Sequence, residues 1–112
     1  MPLRIGCDLV LMQSFERQFI RAEPRVLETV LWPAEYIDKP LETLAGIFPA
    51  KEAACKVLSP PPGHWLDLCV EHAPSGEPLM KRARDLPRVK ALQVAIAHAG
   101  DDALVFVAVQ TR

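Results

Sequence analysis

Three side chains carry the chemistry this sequence can suggest: Asp8, Glu52 and Lys56. Glu52 and Lys56 stand four residues apart in Phe48-Pro49-Ala50-Lys51-Glu52-Ala53-Ala54-Cys55-Lys56, so on a helix a carboxylate and an ammonium share one face. Such a pair can hold a metal beside a phosphate. Asp8 ends the short run Ile5-Gly6-Cys7. A second carboxylate brought beside it by the fold gives a hard divalent cation two oxygen ligands and leaves positions for substrate oxygens and water. Each residue also has an ordinary use. Asp8 could be a turn or cap residue, and Glu52 with Lys56 could be an exposed pair worth roughly 0.3 to 0.5 kcal/mol. Spacing alone leaves both readings open.

The elements that must position these residues alternate in type. Residues 3–12 read as a buried strand, and Phe15, Phe19 and Ile20 then recur at helical spacing until Glu23-Pro24 interrupts them. Val26, Leu27, Val30 and Leu31 form a second short stripe, and Pro33 after Trp32 fits the first turn of another brief helix. Residues 41–58, rich in Ala, Leu, Lys and Glu, predict the main helix. Pro49 lacks the amide that would bond back to Ala45, which predicts a kink or a late start. Ser59-Pro60-Pro61-Pro62-Gly63 ends that helix. Beyond it, residues 65–70 and 78–80 read as strands about the turn Pro74-Ser75-Gly76-Glu77. Residues 92–97 and 103–109 read as a hairpin around Gly100-Asp101-Asp102. Residues 81–90 stay open between an exposed basic helix and a segment broken at Pro87. The order describes an α+β fold with helices packed on one face of a largely antiparallel sheet.

Composition narrows the class. The 112 residues suit one domain, 1–112, and half of them are apolar with a net charge of -1, which argues against a chain made to wrap nucleic acid. Cys7, Cys55 and Cys69 are an odd number without short paired spacing. They suggest free, mostly buried thiols in a reducing compartment and neither a disulfide framework nor a zinc site. No signal-type segment opens the chain and the longest apolar run, 103–109, is too short to span a bilayer. A cytoplasmic protein with no membrane partner is expected.

The motifs, taken in order, carry a resemblance. Gly6-Cys7-Asp8-Leu9-Val10, Leu44-Ala45-Gly46 leading into Phe48-x-x-Lys51-Glu52-Ala53-x-x-Lys56, Asp67, Gly76-x-Pro78 and Ile96-Ala97-His98 resemble the ordered motifs of holo-acyl-carrier-protein synthases, the small 4'-phosphopantetheinyl transferases. The resemblance runs from about residue 4 to about residue 109. It implies the 4'-phosphopantetheinyl transferase-like fold and Mg²⁺-dependent transfer of phosphopantetheine from coenzyme A to a serine of an apo acyl or peptidyl carrier protein. It also implies a homotrimer with the coenzyme A site between subunits. On the resemblance, Asp8 and Glu52 match metal-binding carboxylates, and Lys56 matches a lysine at the phosphate that helps the leaving group. Lys51 and His98 match residues around the coenzyme A phosphates. Glu52 and Lys56 are thus the expected catalytic pair, and whether Glu52, a water or another carboxylate takes the serine proton stays open.

The chain departs from the family pattern around that centre. Ile47 stands where members usually carry an arginine, and the proline run 60–62 replaces a glycine-rich turn. Ala95, Ala97 and Ala99 surround His98 in place of the usual hydroxyl residues, and Leu11 and Ser14 replace an acid and an arginine. An alternative function follows: a catalytically impaired member acting as a carrier-binding or assembly subunit. Arg17 and Arg21, on one face of the first helix, are the expected contacts for an acidic carrier protein. The basic cluster 81–90 is a second candidate surface.

Overall fold

The protein, seen as a computed structural model, is described over residues 2–58 and 64–112. The proline turn expected at 59–63 lies outside the described residues. Strand β1 (Leu3–Leu11) leads into a short helix α1 (Met12–Phe15) that continues in π geometry over Glu16–Ala22. Pro24, at the first helical position where its missing amide costs nothing, opens α2 (Pro24–Val30), and Pro33 does the same for α3 (Pro33–Tyr36). Helix α4 spans Leu41–Leu58, and a single 3₁₀ turn at Trp65–Asp67 precedes β2 (Leu68–His72) and β3 (Pro78–Arg82). The hairpin β4 (Val89–Ala99) and β5 (Asp102–Thr111) closes the chain around Gly100. Gly100 takes the positive φ, 59°, that a two-residue hairpin turn asks of its first central residue.

Two antiparallel sheets result, one in the order β1-β5-β4 and one of β2 with β3. Helix α4 lies across β1 and β5 and buries Ala45, Ile47, Ala50, Ala53 and Ala54 against Ala103, Val105, Val107 and Val109. The α+β architecture with helices on one face of antiparallel sheet is as the sequence predicts.

Several details differ. β1 is not buried on both faces: Leu3, Ile5, Leu9 and Leu11 stand exposed on the side away from α4. α4 runs unbroken through Pro49, because one lost hydrogen bond is small beside the packing of a helix buried along most of its length. Residues 65–67 form a 3₁₀ turn, so β2 starts only at Leu68, and residues 83–88 bend rather than forming a helix. Cys7 is exposed on the outer sheet face, while Cys55 and Cys69 are half-buried free thiols.

Candidate functional site

β1 and α4 bring Asp8, Glu52 and Lys56 together. On β1 the even-numbered residues face α4, and at Gly6 the two backbones nearly touch: a Cβ there would stand 2.8 Å from the Ala53 carbonyl oxygen. This contact sets Asp8 beside the helix one strand repeat further on. The Lys56 Nζ lies 3.9 Å from Asp8 Oδ1 and 3.7 Å from Glu52 Oε1. Arg4 donates to the carbonyl of Val57 at 3.3 Å and ties the end of α4 to the same strand.

The electrostatics of this cluster favour a cation. Burial, with the neighbouring Asp8 carboxylate next in weight, pushes the Glu52 carboxyl above its ordinary value while Lys56 pulls it back. Two carboxylates answered by one half-exposed ammonium leave negative charge in excess. Hard oxygen donors in this number suit Mg²⁺, which keeps most of its shell for water and phosphate oxygens. Among the described residues no third His, Cys, Asp or Glu completes a protein-only metal cage. Asp8 and Glu52 are the residues that could hold such an ion.

A cleft of about 280 Å³ opens beside the two carboxylates, between the first helix and α4, with Ser14, Gln18, Phe19 and Phe48 in its wall. An aromatic cluster stiffens that wall: Phe19 and Phe48 lie 4.6 Å apart between ring centres, Phe15 and Phe48 5.5 Å, and Phe48 and Trp65 5.2 Å. Phe15 and Phe19 belong to the helical stripe of the sequence, but only the fold shows that they meet Phe48 and Trp65 beside the carboxylates.

Lys51 is not at this site. One residue before Glu52 on a helix means about 100° of rotation, and Lys51 turns inward to meet Glu35 of α3. Its Nζ lies 2.8 Å from Glu35 Oε1 with both side chains 0% exposed. Burial draws the Lys51 ammonium below its ordinary value against the opposing pull of Glu35. The expectation that Lys51 lines the phosphate subsite is corrected accordingly, since this side chain has no surface to offer. Glu35 was not legible as its partner; the one local signal is an acid at the third position of a Pro-initiated helix.

His98 also stands apart from the trio within one chain. Asp8 pairs across Val105 to Ile96, whereas His98 pairs across Ala103 to Val10, so His98 shares the α4-facing side of the sheet two strands away, roughly 10 Å by strand spacing. Gly46 lets β4 approach the helix there, and His98 Nδ1 lies 3.9 Å from Glu42 Oε1. Ile47 is 2% exposed and belongs to the core. Asp67 receives Arg84 Nε at 3.0 Å and faces His64 Nδ1 at 3.2 Å, at the edge of a second cavity of about 350 Å³ lined also by Cys55 and Leu58. Burial pushes the Cys55 thiol up, which suits a packed side chain and not a nucleophile.

Arg17 and Arg21 are exposed, as expected of a docking face, but each already has a neighbour. The π spacing aligns residues five apart, so Arg21 Nη2 meets Glu16 Oε1 at 2.9 Å, while Arg17 Nη2 lies 3.5 Å from Ser14 Oγ. Among the described residues no helix is long and apolar enough to cross a membrane.

No family model matches the chain. Individual proteins do. It is 35% identical over 114 residues to the holo-[acyl-carrier-protein] synthase of Kocuria rhizophila, covering 96% of this chain and 91% of the relative. It is 32% identical to that of Helicobacter acinonychis, covering 94% and 98%. Among solved structures, Helicobacter pylori holo-[acyl-carrier-protein] synthase in complex with coenzyme A superposes with a TM-score of 0.83 at 27% identity, covering 96% of this chain and all of that one.

Proposed function

The chain belongs to the holo-[acyl-carrier-protein] synthase family of 4'-phosphopantetheinyl transferases, and from that premise we propose that it transfers 4'-phosphopantetheine from coenzyme A to a serine of an apo carrier protein with Mg²⁺ at Asp8 and Glu52. The observation that carries this reading is the convergence of Asp8, Glu52 and Lys56 beside an open cleft.

The serine oxygen forms a bond to the phosphorus that bears the pantetheine arm, and the bond from that phosphorus to the bridging oxygen breaks. The serine proton passes to a base, and 3',5'-adenosine bisphosphate leaves. Such a displacement asks for positioning and charge neutralisation more than for covalent help. Bound at the carboxylates, the cation supplies that neutralisation to the pyrophosphate oxygens. Lys56, half-exposed at the cleft, offsets charge building on the bridging oxygen. A cation held there would pull the raised Glu52 carboxyl down again and favour its carboxylate form.

We also propose that the complete site forms between copies of the chain in a homotrimer, with His98 of one copy reaching the coenzyme A phosphates near the carboxylates of the next. The uncovered outer face of the β1-β5-β4 sheet supports this: Leu3, Ile5, Leu9, Leu11, Leu104 and Phe106 stand exposed on it.

Incubation with coenzyme A, Mg²⁺ and a panel of apo carrier proteins, followed by mass spectrometry of the carrier, tests the function. A carrier gaining one phosphopantetheine in a Mg²⁺-dependent way is the expected result. Coenzyme A binding with no carrier modified would instead favour the impaired, carrier-binding reading that Ile47 and the alanines around His98 suggest.

A further inference from the structure

We propose that the buried Glu35–Lys51 pair is the positioning device of this site, holding α4 at the rotation that aims Glu52 and Lys56 at Asp8; the proposal rests on the reading of those three residues as the catalytic centre. Half of the buried positions of α4 are small residues, Ala45, Gly46, Ala50, Ala53 and Ala54, with Ile47 and Val57 the larger side chains among those that pack beside them. Small residues allow close approach but interdigitate shallowly, so they fix the distance of a helix better than its rotation. Rotation needs a directional contact, and Glu35 with Lys51 provides it.

Glu35 is itself held on three sides. Its Oε1 accepts from the Trp32 amide at 2.6 Å and from Lys51 Nζ at 2.8 Å, and its Oε2 accepts from the Val70 amide at 2.8 Å. The Trp32 indole donates to the Leu68 carbonyl at 3.1 Å, which fastens α3 to β2 independently. The carboxylate is thus a fixed point in the frame formed by α3 and β2, and Lys51 is the one side chain of α4 hydrogen-bonded to it. Glu52 follows Lys51 directly in the chain, so what Lys51 fixes passes to Glu52 through rigid helix backbone. A helix rotation of about 20° would move a carboxylate about 6 Å from the axis by about 2 Å. Misplacement by about 1 Å can cost roughly a hundredfold in rate.

Stability does not account for the pair as well. Two fully buried charges incur desolvation that their attraction only offsets, and apolar replacements of similar volume are often as stable. Lys51 has no exposed surface with which to touch substrate. A positioning role explains why charges occupy a place that methylenes could fill.

The test is the double variant Glu35→Gln with Lys51→Met, which removes both charges; the single Gln oxygen accepts from only one of the amides of Trp32 and Val70, so cooperative melting is checked first. It is expected to melt cooperatively, to lose at least about tenfold in kcat with little change in KM for coenzyme A, and to bind Mn²⁺ several-fold more weakly by electron paramagnetic resonance titration. If the double variant does not melt cooperatively, Lys51→Arg, which keeps the charge pair but alters its reach, takes its place with the same expectations. A cooperatively melting variant with parental kcat and parental Mn²⁺ affinity overturns the proposal and leaves the pair a purely structural element. A parent protein that modifies no carrier and binds no Mn²⁺ overturns the functional reading itself, and this proposal with it.

Discussion

Gly6 and Ala53 meet closer than a side chain at position 6 allows: a Cβ on Gly6 would lie 2.8 Å from the Ala53 carbonyl oxygen and 2.8 Å from Val57 Cγ1. Backbone cannot withdraw as a flexible side-chain end can, so a larger residue must lift α4 from β1. Asp8 is two residues beyond Gly6 and Glu52 one residue before Ala53, which makes this contact the spacer of the two carboxylates.

Gly6→Ala is therefore expected to destabilise the fold by about 1 to 3 kcal/mol, the usual cost of overpacking, and to lower carrier modification by more than the folded fraction explains. Urea denaturation combined with kcat per folded molecule checks this. An alanine variant of parental stability would mean that the close approach is not enforced.

Glu52→Gln separates stability from function. A carboxyl raised above its ordinary value of 4.5 binds its proton more tightly in the folded protein than in the unfolded chain. Its stabilising contribution is present below that value and lost as pH rises through the folded one. Without divalent ions, the Tm of the variant relative to the parent should thus rise as the pH climbs above the ordinary value of 4.5. Mg²⁺ should raise the Tm of the parent by mass action and leave the variant unmoved, while carrier modification falls by roughly two orders of magnitude or more. A parent whose Tm ignores Mg²⁺ at neutral pH would remove the metal assignment.

Lys56→Gln should do the reverse. The ammonium is half-exposed and its two carboxylate contacts are long, so the Tm should move little. Steady-state kinetics should show a loss of roughly 10² to 10³ carried by kcat. A change confined to KM would place Lys56 in ground-state binding instead.

Arg17→Glu with Arg21→Glu should weaken association with an acidic carrier by roughly tenfold or more at low salt, and the difference should shrink as salt is raised. Arg21 must leave Glu16 to bind, so Glu16→Gln alone should strengthen association modestly. Calorimetry at two ionic strengths reads both, and salt-independent affinity would exclude this face.

Much of this was legible from residue order. The α4 boundaries and the hairpin at Gly100 follow from helical spacing and turn chemistry, which are local signals, and the meeting of Asp8 with Glu52 and Lys56 was expected from the resemblance that the ordered motifs carry. What escaped depends on long-range partners. Lys51 reads as one more basic residue of a motif, and nothing near it in the chain announces that Glu35, sixteen positions earlier, will take it into the core. The π geometry of 16–22, the unbroken passage through Pro49 and the exposed side of β1 are likewise decided by what packs alongside, which a pattern of residue types does not carry.

That exposed side of β1 supports the last prediction. Along β1 and β5 the outward positions hold Leu3, Ile5, Leu9, Leu11, Leu104 and Phe106, with Leu3, Ile5, Leu9 and Leu11 more than half exposed in the single chain. Phe106 lies between Cys7 and Ala95 in the ladder, at the centre of the face, while Ile5 sits two pairs away, the next position on the same face. A contiguous apolar sheet face of this kind is unusual in a monomer and suited to a subunit contact. Ile5→Lys with Phe106→Lys replaces two of its largest apolar side chains by charges without touching Asp8, Glu52 or Lys56. Light scattering should report a trimer for the parent and a monomer for the variant, and the variant should lose at least about tenfold in activity, because in the proposed assembly His98 of one copy serves the carboxylates of the next. A parent that is monomeric and active at the assay concentration would exclude the shared site. A variant that is monomeric and fully active would leave the trimer but remove His98 of the neighbouring copy from the reaction.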